Sequence, residues 1–236
     1  GKQTHDLLLK GHEALCAVPH RGGMSSEGVG DGAGISVDLS LEFFQKLTGQ
    51  PLEACAFGVG NFFLPEDTGK YGVAIKLVTS CLEAAGFTIV LERDIPVDEN
   101  AVGPRALKWQ LPIRQRVFTA PDGVRGQAFN RAIHIALLAI EADAYTDPAL
   151  NGLYPLSLSA QTQVFKGRLN SWEIIPYFKD LSDPSHSVHT LYFHTRFSTN
   201  TDPHPSMAQP FRLMAHNGEL NTDKKNRLSS ESNAIE

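Results

Sequence analysis

Residues 194–222 read HTRFSTNTDPHPSMAQPFRLMAHNGELNT. The run joins two stretches dense in β-formers, 188–194 and 211–215, through a proline-rich loop. Arg196 falls where the first strand ends, beside the hydroxyls of Ser198 and Thr199. An arginine there presents a planar fork that suits a carboxylate, or simply a surface ion pair. Asn217 and Gly218 follow the second strand and offer a side-chain amide beside a glycine N–H. That donor pair suits an oxyanion hole; the same dipeptide also makes a hairpin turn. Taken together, the two features specify a site for an amino acid whose carbonyl is attacked.

Working outward, 153–158 and 162–167 read as further strands, as do 54–58, 61–64, 87–93 and 113–119. Helices are expected over 3–18, ended by Pro19, over 69–85, capped by Gly86, and over 126–144. In the last of these, Phe129, Ile133, Leu137 and Ile140 recur at three- and four-residue steps. The segment 94–112 reads as a long connection, and the glycines of 28–34 as a tight structural loop. That loop lacks the Lys-Ser/Thr ending of a phosphate-binding loop. Helices between runs of mostly adjacent strands give an α+β class with antiparallel sheets.

Composition limits the partners. With 21 Lys and Arg against 26 Asp and Glu, the net charge of -5 gives no electrostatic reason to bind nucleic acid. No apolar run approaches the roughly 20 residues of a membrane helix, so no membrane partner is expected. An odd count of 3 cysteines without paired spacing suits a reducing compartment, and the cytoplasm is the expected location. Cys16, Cys55 and Cys81 fall in apolar surroundings and read as small buried residues rather than nucleophiles. The 9 histidines show no metal-ligand spacing.

With HTRFSTNT, AQPFR and HNGELNT on the page, the chain resembles the class II glutamine amidotransferase domain of glutamate synthase. Upstream, HRGG (20–23), GDGAGI (30–35), FFLPE (62–66), ERDIPVD (92–98), SLSAQTQVFKGRL (157–169) and FKDL (178–181) occur in the family's order. The likeness therefore runs across nearly all of residues 1–236, as one domain. It implies an N-terminal-nucleophile hydrolase fold, a four-layer αββα sandwich of two antiparallel sheets. It also implies hydrolysis of the glutamine side-chain amide by an N-terminal cysteine whose own α-amine is the base. Ammonia then passes to 2-oxoglutarate in a partner synthase domain or subunit, which carries FMN and an iron–sulfur cluster; no cofactor is expected in this chain.

By the same resemblance, Arg196 holds the α-carboxylate of L-glutamine, helped by backbone around Ser198 and Thr199. Asn217 and the Gly218 N–H stabilise the oxyanion, and Arg21 braces the nucleophile end. Two departures stand out. The family's leading Cys-Gly is missing before Gly1, so the chain reads as cut at both ends, and Cys16 has no free α-amine to replace it. The family's Ser-Asp-Ser element, which binds the α-amino group, is matched only by Ser230, Glu231 and Ser232, a variant of that element or an accident of a polar tail. The alternative is an amidotransferase-like module without a nucleophile, binding glutamine or regulating a partner.

Overall fold

A computed structural model describes residues 2–196 and Pro210. The expected strand 211–215 lies outside the described residues. Among them the elements are helix α1 (Asp6–Ala17), strand β1 (Ala33–Asp38), α2 (Leu41–Thr48), β2 (Phe57–Phe63), α3 (Tyr71–Ala84), β3 (Thr88–Asp94), α4 (Pro104–Leu107), β4 (Ile113–Thr119), α5 (Gly126–Thr146), β5 (Tyr154–Ser159), β6 (Thr162–Gly167), α6 (Ile174–Tyr177) and β7 (Leu191–His194).

The strands form two antiparallel sheets, β3-β4-β2-β5 and β6-β1-β7. The two-residue turn after β5 carries the chain from one sheet to the other. Helices α3 and α5 cover the four-stranded sheet. Ala74, Val78 and Leu82 of the first, and Phe129, Ile133, Leu137 and Ile140 of the second, pack with Phe62, Phe118 and Leu158. Helices α1 and α6 bring Leu8, Leu15, Ile174 and Ile175 against Ile35 and Phe165 of the three-stranded sheet. The layers are therefore αββα, as in an N-terminal-nucleophile hydrolase sandwich.

A buried polar seam ties the sheets together. The Asn61 amide donates to the carbonyl of Val164 at 3.1 Å, and the Gln115 amide donates to Asn61 at 2.9 Å. Both side chains are fully buried, so each donor withheld from water needs such a partner. Gln115 also accepts from Arg93 Nε at 2.9 Å, and the Arg93 guanidinium forms an ion pair with Asp180. The ERDIPVD and FKDL stretches thus meet across the fold. In VFKGRL, buried Lys166 lies over the Tyr154 ring, and the Arg168 guanidinium stacks 4.4 Å from the Trp109 ring centre.

Several expectations change. The strands expected over 54–58 and 61–64 are one strand, β2, from Phe57 to Phe63, because its two glycines are paired within the ladder, while 54–56 form a turn before it. A Cβ on Gly58 or Gly60 would meet Phe118, or Phe62 and Leu158, so a packed sheet rather than a turn explains them. The glycine loop runs straight into β1, the middle strand of its sheet. Helix α2 was not anticipated, although Ser40 caps its start and Gly49, at φ 66°, ends it. The segment 94–112 contains a 3₁₀ turn and the short α4. Cys16 and Cys55 are exposed rather than buried, and Cys81 is half-buried. Cys16 sits in the last turn of α1 and Cys55 in a surface turn, where apolar neighbours in sequence are not neighbours in space.

Candidate active site

The site is assembled at one end of the three-stranded sheet. Pro19 stops α1 because a proline cannot continue the hydrogen-bond ladder, and a 3₁₀ turn, Pro19–Arg21, redirects the chain. Gly22 then runs extended past the end of β7. A Cβ on it would lie 3.2 Å from the carbonyl oxygen of Thr195. HRGG and HTR, more than 170 residues apart in sequence, are packed against one another.

The glycine-rich loop supports this junction. The Asp31 N–H donates to Gly23 O, and the Ser25 N–H donates to Val29 O, each at 2.8 Å. Gly30 is required sterically: a Cβ there would stand 2.3 Å from the carbonyl carbon and oxygen of Leu169. The Asn170 side chain closes the loop by donating to Gly28 O at 3.2 Å. The stretch is a clamp onto residues 169–170 that feeds β1, and the expectation of a structural loop describes its first half.

A cleft of about 340 Å³ opens at the junction, lined by His20, Arg21, His194, Thr195 and Arg196. Arg21 and Arg196, both expected in the site, are brought together here. Among the described lining groups the charged side chains are the two arginines, and none is acidic. The Arg196 backbone N–H donates to His194 Nδ1 at 3.3 Å, which fixes the strand end. Its Nε is buried and has no hydrogen-bond partner among the described residues.

A family profile, glutamine amidotransferases class-II, matches residues 1–235. The chain belongs to the class II glutamine amidotransferases. Among known proteins, this amidotransferase chain is 33% identical over 227 residues to ferredoxin-dependent glutamate synthase 2 of Synechocystis sp., covering 94% of the chain and 14% of that protein. It is 34% identical over 231 residues to the glutamate synthase [NADPH] large chain of Azospirillum brasilense, covering 96% of the chain and 15% of the relative. Against the Bacillus subtilis glutamate synthase [NADPH] large chain the identity is 33% over 231 residues, with the same shares. The chain thus spans only about 15% of the length of these relatives.

Asn217, Gly218, Ser198, Thr199 and Glu231 lie outside the described residues. Cysteine is absent from the described cleft lining: Cys16 is near it in sequence, but its thiol turns to His12, 3.7 Å from Nε2. His20 and His194 were not singled out for the site. Their signal was their position, each next to or one residue from an arginine of a motif. Among the described residues no group of three or more His, Cys, Asp or Glu is placed to hold a metal, and no helix is long and apolar enough to cross a membrane.

Proposed function

We propose that this domain is the glutaminase part of a glutamate synthase, hydrolysing the side-chain amide of L-glutamine to glutamate and ammonia. One observation carries the reading: Arg21 and Arg196, from distant motifs, line one cleft, and none of its described lining residues is acidic. The relatives at about a third identity, all glutamate synthases, supply the chemistry that the cleft suits.

In this reading Arg196 receives the α-carboxylate of glutamine. Ser198 and Thr199 add donors to it, and Glu231 takes the α-amino group. The family's N-terminal cysteine, activated by its own α-amine, attacks the side-chain carbonyl carbon, and Asn217 with the Gly218 N–H holds the resulting oxyanion. Ammonia departs with a proton, leaving a thioester that water hydrolyses to glutamate. Arg21 braces the nucleophile end of the cleft. The ammonia goes to 2-oxoglutarate in a synthase domain or subunit, and FMN and the iron–sulfur cluster belong to that portion. The three cysteines of these residues are free, which fits a reducing setting, here the cytoplasm.

The test is glutamine hydrolysis by the full-length mature protein, with its N-terminus read by Edman degradation or intact mass. A leading cysteine and glutamine-dependent ammonia release are expected. A mature protein without that cysteine, binding glutamine but releasing no ammonia, replaces the enzyme with the binding-module alternative.

A further inference from the structure

The ladder between β1 and β7 ends at the Gly34–His194 pair, so it does not hold the two residues that follow. The chain bends at Thr195 and Arg196 instead of continuing the strand, and both line the cleft beside His194. A long arginine side chain has many rotamers, and where its planar fork can reach depends first on the direction of its Cα–Cβ bond. Two contacts set that direction beyond the end of the sheet. One is the close passage of Gly22, where a Cβ would stand 3.2 Å from the Thr195 carbonyl oxygen. The other is the hydrogen bond from the Arg196 N–H to His194 Nδ1, at 3.3 Å.

The second contact has a recognisable form. A side-chain acceptor takes the N–H of the residue two positions on, closing the ring that asparagine and aspartate close in an Asx turn. The imidazole Nδ1 stands two bonds from Cβ, as the amide oxygen of an asparagine does, so the same short ring forms. An Nδ1 that accepts carries no proton, and the neutral imidazole then keeps its proton on Nε2. A glutamine amide oxygen stands three bonds from Cβ, in the place of Nε2, and does not close that ring.

We propose that His194 is a positioning residue for glutamine binding: its Nδ1 fixes the bend that aims Arg196 at the α-carboxylate. The proposal rests on the reading of Arg196 as the carboxylate clamp. His194 acts on the substrate through Arg196 alone, so its loss weakens glutamine in ground state and transition state alike. A purely structural imidazole would instead lower stability without this selective effect on KM.

The experiment is steady-state glutamine hydrolysis by the full-length mature protein carrying His194→Ala, His194→Asn or His194→Gln, compared with Arg196→Ala and with the double variant Arg196→Ala, His194→Ala. His194→Ala should raise the KM for glutamine about 3- to 10-fold with kcat unchanged, the size expected for one neutral hydrogen bond. His194→Asn should bring KM back to within about twofold of the parent because it closes the same turn; His194→Gln should not. In the double variant the His194 change should add less than about twofold to the Arg196→Ala effect, since both act on one clamp. The contrast between Asn and Gln decides the matter even if the alanine variant folds poorly. A parental KM in His194→Ala, rescue by Gln rather than Asn, or full additivity in the double variant would overturn the proposal and leave the clamp standing. An unchanged KM in Arg196→Ala would instead overturn the clamp, and the role of His194 with it.

Discussion

The imidazole Nδ1 of His186 donates to the carbonyl oxygen of Asp180 at 2.8 Å, and the ring is completely buried, stacked on Phe43. Its Nε2 is thereby left to accept from the Gln163 amide at 3.4 Å. Gln163 in turn accepts from Gln115, Gln115 accepts from Arg93, and Arg93 pairs with the Asp180 carboxylate. The hydrogen bonds form a closed ring through four segments, and it is satisfied only when the imidazole is neutral.

That arrangement predicts an acid-side loss of stability. Burial, the largest cause, pushes the His186 pKa down, while the Asp180 carbonyl and nearby carboxylates of Asp180 and Asp183 oppose it and His5 adds to it. The unfolded histidine titrates near 6.5. Between the depressed folded value and about 6.5 the unfolded chain binds the extra proton, so stability falls as pH drops through that window and this group adds no slope above it. Urea midpoints measured from pH 8 to 5 should show the decline. His186→Asn keeps a donor for Asp180 without the titration, and its decline should be shallower; equal slopes in both proteins would remove His186 as the cause.

The glycine loop makes a paired prediction. Gly28 has φ +79° and open space around it, so Gly28→Ala costs only the strain of a left-handed alanine, about 1 kcal/mol. Gly30→Ala drives a Cβ into the Leu169 backbone, which cannot rotate away. Its cost should be larger, about 1–3 kcal/mol. Thermal unfolding of the two variants ranks them, and a Gly30 variant as stable as the Gly28 variant would mean the clamp has slack.

The same loop shows why part of the architecture was hidden in the sequence. Helices α3 and α5 and most strands were legible from periodicity, because one face of each is apolar and the other is not. Strand β1 was not, since Ala33, Gly34 and Ile35 continue a glycine-rich run whose demand comes from distant Leu169. Cys16 and Cys55 misled in the opposite sense, as local apolar composition says nothing about which way a surface turn faces. For the site, Arg21 and Arg196 were legible as motif arginines. Their meeting depends on Gly22 passing Thr195, a tertiary contact no local pattern encodes.

Arg93 and Asp180 test the polar ring from another side. Both are largely buried, and removing one leaves the other charge unpaired in low dielectric. Asp180→Asn should destabilise the domain by about 3–5 kcal/mol. The double variant Arg93→Met with Asp180→Leu should recover part of that loss by denaturant unfolding, because neither charge then remains. A double variant worse than the single one would show that the pair contributes more than mutual compensation.

Arg196→Ala bears directly on the proposed chemistry. A guanidinium that holds the α-carboxylate in ground and transition states alike contributes uniform binding. Its loss should raise the KM for glutamine about 10- to 100-fold, from charge-assisted hydrogen bonds worth roughly 1.5–3 kcal/mol. Asn217→Ala should behave differently, lowering kcat about 10²- to 10³-fold with a smaller effect on KM, since its donor is used most in the transition state. Steady-state glutaminase kinetics on the full-length protein separate the two. An Arg196 variant with unchanged KM would remove the carboxylate clamp from the mechanism, and an Asn217 variant that changes KM alone would move that residue from the oxyanion to the substrate.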